Sequence, residues 1–375
     1  MMNYCSNCGH ALQPGAKFCP ACGAQLADQA GPQSPATGEE NVNRVKGLYG
    51  NATAKLNQFT GESGEVKVSL SDLFSEVFKH HTKGEAENIF IAGTETTTPA
   101  LNDVSDDWAK PWVFSRVLAG FLIAFAGLLY LFAEFRNENA IPGLIMVGAL
   151  AVPFSGLIFF FESNAFQDVS IFETVKIFFI GGVFSLIVTL VLYEFVSFSE
   201  TSKITGLLTL QDGLAIGVVE ELGKVLIICY FVNQLKVEHV LDGLLIGAAV
   251  GAGFASFETA GYIYRAGGYL IEVAVVRGWS AIGGHLVWAA ITGGALMVVK
   301  RKAPFKFSQL LDTRFLVFFA LVVIMHAVWD WDVTILGSYN LKIIALIIVA
   351  WIVVFVLMNA GLKEIGHLKQ DHSTE

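Results

Sequence analysis

Charge is what this chain has least of. Only 15% of its 375 residues are Asp, Glu, Lys or Arg, against about 25% in a soluble globular domain. That shortage excludes an ordinary water-soluble enzyme; with 54% hydrophobic residues and 30 phenylalanines, the chain reads as an integral membrane protein. Basic residues are the scarcer sign, 24 against 33 acidic, so no surface suited to nucleic acid is expected. No basic segment leads into a short apolar stretch at the N-terminus, so no cleavable signal is expected and insertion must rely on internal helices. Cysteine is sparse, five in all, and the HExxH pattern of helical zinc proteases is missing.

Four of the five cysteines stand together. Cys5, Cys8, Cys19 and Cys22 form CxxC, ten intervening residues and a second CxxC, each pair followed by a glycine, Gly9 or Gly23. Two such knuckles supply four thiolates to a tetrahedral structural Zn²⁺. Two disulfides would need an oxidising compartment, for which there is no signal, and a segment this short buries no core without metal. Residues 1–26 resemble the zinc-ribbon module found at the N-terminus of bacterial membrane proteins, which implies a protein-interaction or regulatory role with a protein partner. His10 reads as a loop residue and Cys229 as a small packing residue in a membrane helix.

Residues 27–66 are rich in Gly, Ala, Gln, Asn, Ser and Thr, carry Pro32 and Pro35, and show no apolar period; they are expected to be a flexible linker. Order is expected to return over 67–112 as a cytosolic helical hairpin. There Leu70, Phe74, Val77 and Phe78 fall on one helical face behind the capping pair Ser69 and Asp72, and Thr82 with Glu85 repeats the cap. The adjacent His80 and His81 read as solvated turn residues. Trp108 and Trp112 read as an interfacial anchor.

Residues 113–375 carry eight expected spans: Val113 to Ala133, Ile141 to Phe161, Val175 to Tyr193, Gly213 to Val232, Val240 to Tyr264, Ser280 to Val299, Phe315 to Trp331 and Leu341 to Met358. The fold class is therefore an all-α polytopic membrane protein of about eight transmembrane helices, plus the ribbon and the hairpin. An even count puts both termini on one side. Eleven Lys and Arg residues fall on that side and five opposite, namely Arg136, Lys203, Arg265, Arg277 and Lys342. By the positive-inside rule the termini are cytoplasmic and the protein is a multi-pass protein of the cell membrane.

Inside the spans stand residues that lipid tolerates poorly. Glu220, Glu221 and Lys224 lie in the fourth, Glu258 in the fifth, His285 in the sixth, and His326 with Asp330 in the seventh. A charge at the centre of a spanning helix costs ~2.5–3.5 kcal/mol on insertion scales, so these side chains must face one another or water. Counted at 1.5 Å per residue, Glu220, Glu258, His285 and His326 all lie ~8–12 Å below the extracytoplasmic surface. Glu220 and Lys224 are i,i+4, as are Phe254 and Glu258, and His326 and Asp330, so each pair shares a helix face. Glycines 243, 247 and 251 form one small-residue ridge on the fifth span, and Ala248, Ala252 and Ser256 another, which marks that helix as central.

At these residues the chain resembles the PrsW family of intramembrane proteases, distantly similar to the CAAX prenyl endopeptidase superfamily. The resemblance rests on EELGK (Glu220 to Lys224), the stretch ending in Phe254xxxGlu258, His285 on the next helix, and His326xxxAsp330. It implies hydrolysis of peptide bonds in membrane-anchored protein substrates, such as anti-sigma factors. Carried over, it makes Glu220 the base that activates water, Glu221 its supporting partner and Glu258 a second holder of that water. His285, His326 and Asp330 then bind a metal or stabilise the oxyanion. The broader superfamily usually has His where Glu258 stands and Arg near Lys224. The residues themselves suit a Glu-activated water or a second divalent ion equally. A proton-coupled transporter or channel also uses buried Glu, His and Asp, although no inverted repeat is evident; an inactive scaffold presenting the ribbon is the third alternative.

Overall fold

The computed structural model describes residues 3–5, 7–13, 16, 18–24 and 38–374. Two compact units divide at Gly50 and Asn51. In the first, strands β1 (Asn3–Tyr4) and β2 (Ala11–Leu12) pair antiparallel, Asn3 opposite Leu12. Each CxxC turns back on itself: Gly9 N–H donates to the Cys5 carbonyl and Gly23 N–H to the Cys19 carbonyl. Both glycines are left-handed, with φ of +70° and +69°, which a side chain would disfavour.

The expected linker is corrected in its second half. Helix α1 spans Gly38–Thr60, while 27–37 lie outside the described residues. Its C-terminal half buries Thr53, Asn57 and Thr60, a polar stripe at helical spacing. Asn57 Nδ2 donates to the Gly64 carbonyl at 3.0 Å, Thr60 Oγ1 to the Asn57 carbonyl at 2.8 Å, and Val66 N–H to Thr53 Oγ1 at 3.2 Å. These bonds fold residues 61–66 back along the helix, while Leu56 and Phe59 pack on the core.

The hairpin shrinks to a single turn, α2 (Leu70–Leu73), and a two-turn helix, α3 (Lys83–Ile89). Both caps form: Ser69 accepts from Asp72 N–H, and Thr82 with Glu85 makes a reciprocal capping box. The expected apolar face does not, because the chain leaves the helix after Leu73. Leu73 is buried, Phe74 packs on Phe114 and Phe159, and Phe78 is exposed. His81 stacks on Trp112 at 3.8 Å, and Trp108 packs edge-on against Phe355.

The membrane part follows as α4 (Val113–Phe135), α5 (Ile141–Glu162), α6 (Ile171–Lys176), α7 (Gly182–Tyr193), α8 (Glu200–Thr205) and α9 (Leu210–Leu235). It continues as α10 (Val240–Arg265), α11 (Leu270–Ser280), α12 (His285–Lys300), α13 (Thr313–Asp330) and α14 (Tyr339–Thr374). A π turn, Ile177–Gly181, joins α6 to α7. Among the described residues seven segments are long and apolar enough to cross a membrane: α4, Glu138–Glu162, Ile171–Tyr193, α10, Gly267–Lys300, α13 and Tyr339–His372. The eighth expected span is α9, whose 26 residues measure ~39 Å; the three charged residues Glu220, Glu221 and Lys224 in its interior set it apart from those seven.

Helix α10 is central, as its small-residue ridges imply, with 94% of its apolar window buried. A β-carbon at Gly243, Gly247 or Gly251 would fall on a backbone carbonyl of α12, from Gly293, Ala289 and His285 respectively. At the other extreme, α4 buries only Val113 and presents Leu122, Ile123 and Tyr130 outward, as a lipid-facing helix must. Helix α11 was not expected: the stretch after α10 folds back, Ala274 against Gly148 of α5, and so carries Arg277 inward.

Candidate functional site

Close helix contacts bring the ionisable residues together. On α9, a β-carbon at Gly213 would fall on the Ala327 carbonyl, and one at Gly217 would sit 3.3 Å from His326 Cβ; without side chains there, α9 presses directly on α13 and sets Glu220 and Glu221 beside His326. The start of α9 is fixed by Asp212, which caps through Thr209 and accepts from Ser199 N–H at 2.6 Å. Asp332, just past α13, accepts from Leu208 N–H at 2.6 Å. Gly251 does for α10 and α12 what Gly217 does for α9 and α13, and holds Glu258 near His285. His285 is the first residue of α12, rather than lying five residues inside a span as expected, because Ala281–Gly283 form a 3₁₀ turn.

The six residues singled out from the sequence form one network. Lys224, fully buried, donates to Glu221 Oε1 at 2.6 Å and lies 3.9 Å from Glu220 Oε2; its closer partner is the i,i+3 residue, not the expected i,i+4 Glu220. His326 Nδ1–H donates to the same Glu221 oxygen at 2.7 Å. That leaves His326 Nε2 facing Asp330 Oδ2 at 3.3 Å and Glu220 Oε2 at 3.6 Å. His285 Nε2–H donates to Glu258 Oε2 at 3.0 Å, and its Nδ1 accepts from Lys224 at 2.9 Å and lies 3.9 Å from Glu220 Oε2. Each imidazole is thus held by a carboxylate through one nitrogen and turns the other toward Glu220. Trp288 packs on His326 at 4.5 Å between ring centres, and Phe254 lies under Lys224 at 4.4 Å.

Two residues that sequence reasoning missed complete the network. Tyr193, at the end of α7, donates to Glu220 Oε1 at 2.8 Å. Arg277 on α11 donates to Glu258 Oε2 at 2.6 Å and to Thr259 Oγ1 at 3.2 Å; in the sequence it reads as a loop charge. No spacing signal marks either, since each meets its partner across helices.

Glu220 Oε2 is buried and has no hydrogen-bond partner. The Lys224 ammonium faces it from 3.9 Å, beyond hydrogen-bond reach, so it lacks the direct donor that a buried carboxylate oxygen ordinarily has. Glu220, His285 and His326 each offer a ligand atom within 4.8 Å of the others, so the donor set fits a divalent cation of the kind that imidazole and carboxylate bind.

Residues 172–358 match the family described as PrsW family intramembrane metalloprotease, and residues 4–26 match the zinc-ribbon domain family. The chain carries a PrsW-family domain. No curated protein and no solved structure matches the chain. The PrsW-family match contains every member of the network, from Tyr193 to Asp330, and begins after the lipid-facing α4 and the largely buried α5. Ahead of the PrsW-family domain, the ribbon's four thiols lie within 4.8 Å of one another, with Cys5 and Cys22 sulfurs 3.7 Å apart and Cys8 and Cys19 sulfurs 3.6 Å apart. A tetrahedron with Zn–S bonds of about 2.3 Å has edges of ~3.8 Å, so the cysteines are set for structural Zn²⁺.

Proposed function

We propose that the PrsW-family domain is an intramembrane endopeptidase that hydrolyses peptide bonds in membrane-anchored protein substrates, with Glu220 as its base. The observation that carries this reading is the Glu220 carboxylate: Oε1 is fixed by Tyr193, while Oε2 is buried, unpartnered and faced by two imidazoles. Amide hydrolysis needs a proton acceptor, an oriented water and positive groups facing the oxyanion. Glu220 Oε2 takes the proton from the water and returns it to the leaving amide nitrogen. The positive groups at that point are the Lys224 ammonium, 3.9 Å from Glu220 Oε2, and His326, which Glu221 and Asp330 hold and which donates from Nε2 once protonated there; His285, oriented by Glu258, accepts from Lys224 and fixes the ammonium. Arg277 anchors Glu258, and Lys224 neutralises Glu221. His285, His326 and Glu220 would also hold a divalent ion once Lys224 gives up its bond to His285 Nδ1, with Glu221 and Glu258 as the carboxylates that orient its histidine ligands. Such an ion supplies Lewis acidity to water and carbonyl.

The termini are cytoplasmic and the site opens toward the extracytoplasmic face. Support comes from the distribution of Lys and Arg, and two of the five residues opposing it are engaged inside the protein: Arg277 with Glu258, and Lys342 with the carbonyls of Trp329 and Trp331 at 2.9 and 2.6 Å. The ribbon then sits in the reducing compartment, where it binds a protein partner.

The test is cleavage of a panel of single-span substrates by the purified protein in proteoliposomes. Wild type cleaves, and Glu220→Gln or His326→Ala lowers the rate by ~100-fold or more. Cleavage that survives both substitutions removes the mechanism, and proton flux without cleavage favours a transporter. Chelation in a Cys5→Ser, Cys8→Ser background, followed by re-addition of Zn²⁺, reads whether the site itself uses an ion.

A further inference from the structure

We propose that Asp168, His239 and Asp242 form a second divalent-metal site at the far end of α10, separate from the membrane network. Asp242 and Glu258 are sixteen positions apart on α10, or ~24 Å along its axis. The three side chains offer ligand atoms all within 4.8 Å of one another.

Two carboxylates meet there without a directly bonded cation. Asp242 is 0% exposed, and its oxygens accept from neutral donors: Asn164 Nδ2 on Oδ1 at 3.1 Å and the His239 backbone N–H on Oδ2 at 3.1 Å. The second contact is an ordinary helix cap; the first is not. Asp168 Oδ1 is buried with no hydrogen-bond partner, and so is the side-chain amide oxygen Oδ1 of Asn164, a residue only 3% exposed. Among the described residues neither aspartate has a Lys or Arg nitrogen within 4.0 Å, the distance at which the other ion pairs form. Buried carboxylates persist where a cation is paired with them or bound by them.

The histidine is arranged as a ligand. His239 Nδ1 meets Glu364 Oε1 of α14 at 3.2 Å; a ring that gives its Nδ1 proton to a carboxylate carries its lone pair on Nε2, the arrangement in which a second carboxylate orients a metal-ligating imidazole. Phe166 stacks on the ring at 3.6 Å and fixes its plane. A cavity of about 230 Å³, lined by Asp168, His239, Phe166 and Lys302, reaches the cluster and provides an entry path. Two carboxylates and one imidazole suit Zn²⁺ or Mn²⁺. An ion there clips the loop before α6 to the start of α10 and, through Glu364, to α14.

The test is equilibrium dialysis of the full-length protein against Zn²⁺ and, separately, Mn²⁺, with bound metal counted per chain. Asp168→Asn and His239→Gln are each expected to hold one ion fewer than wild type and to lose the metal-induced rise in Tm that wild type shows. Glu364→Gln, which loosens His239 without removing a ligand, is expected to weaken binding by about 10–100-fold, and reads the same site if Asp168→Asn does not fold. Variants that elute as folded protein and bind as many ions as wild type overturn the proposal. So does infrared detection of a protonated carboxyl shared by Asp168 and Asp242 in metal-saturated wild-type protein.

Discussion

Lys224 is the residue on which the electrostatics of the membrane network turn. Among the described residues it is the only Lys or Arg in direct contact with both Glu221 and His285, and it is itself fully buried. Removing one partner of a buried ion pair typically costs about 3–5 kcal/mol, because the other charge is left uncompensated. Lys224→Met is therefore expected to lower the Tm sharply, and Glu221→Gln in the same chain to restore part of the loss, as read by thermal unfolding in detergent. Independent losses in the double variant would mean that the two do not form a pair. Glu220, Glu221, Glu258, His285, His326 and Asp330 were legible from sequence for the same reason that they are costly: each is conspicuous in an apolar run. Tyr193 and Arg277 were not. A tyrosine at a helix end and an arginine after one are ordinary at a membrane surface, and only the fold-back of α11 distinguishes Arg277 from a loop charge.

At the scale of elements, small residues decide which helices touch and therefore which side chains meet. The ridge on α10 was readable because its glycines recur every four residues; the equivalent role of Gly213 and Gly217 on α9 is visible only once α13 lies against it. Gly251 gives the sharper test. A β-carbon there meets both the His285 carbonyl and Ala289 Cβ, so Gly251→Ala is expected to cost about 1–3 kcal/mol and to slow cleavage by up to ~100-fold through displacement of His285. Gly120→Ala on α4, where nothing lies within 4 Å, should change neither. Equal effects at the two positions, measured by thermal unfolding and by cleavage rate, would contradict the packing account. Elsewhere the element reading failed where the local sequence misleads: α1 buries Thr53, Asn57 and Thr60 against its own following turn with only Leu56 and Phe59 on the core, and α2 stops after one turn although its apolar residues continue at helical spacing.

On the scale of the whole molecule, a helical bundle surrounds one polar network, with the ribbon ahead of it. Reporter fusions at the N- and C-terminus are both expected to read as cytoplasmic, and a probe placed after Arg265 as extracytoplasmic; termini on opposite sides would remove α9 from the spans. The central claim is that side chains from α9, α10, α12 and α13 act as one hydrolytic unit. Residues of one unit lose their effect together rather than multiplicatively. The direct measurement is a double-mutant cycle on the cleavage rate of a single-span substrate, with Glu220→Gln, His326→Ala and both together in the same membranes. The predicted result is a double variant no slower than the slower single one. Losses that multiply, or a double variant that still cleaves at the wild-type rate, would contradict it.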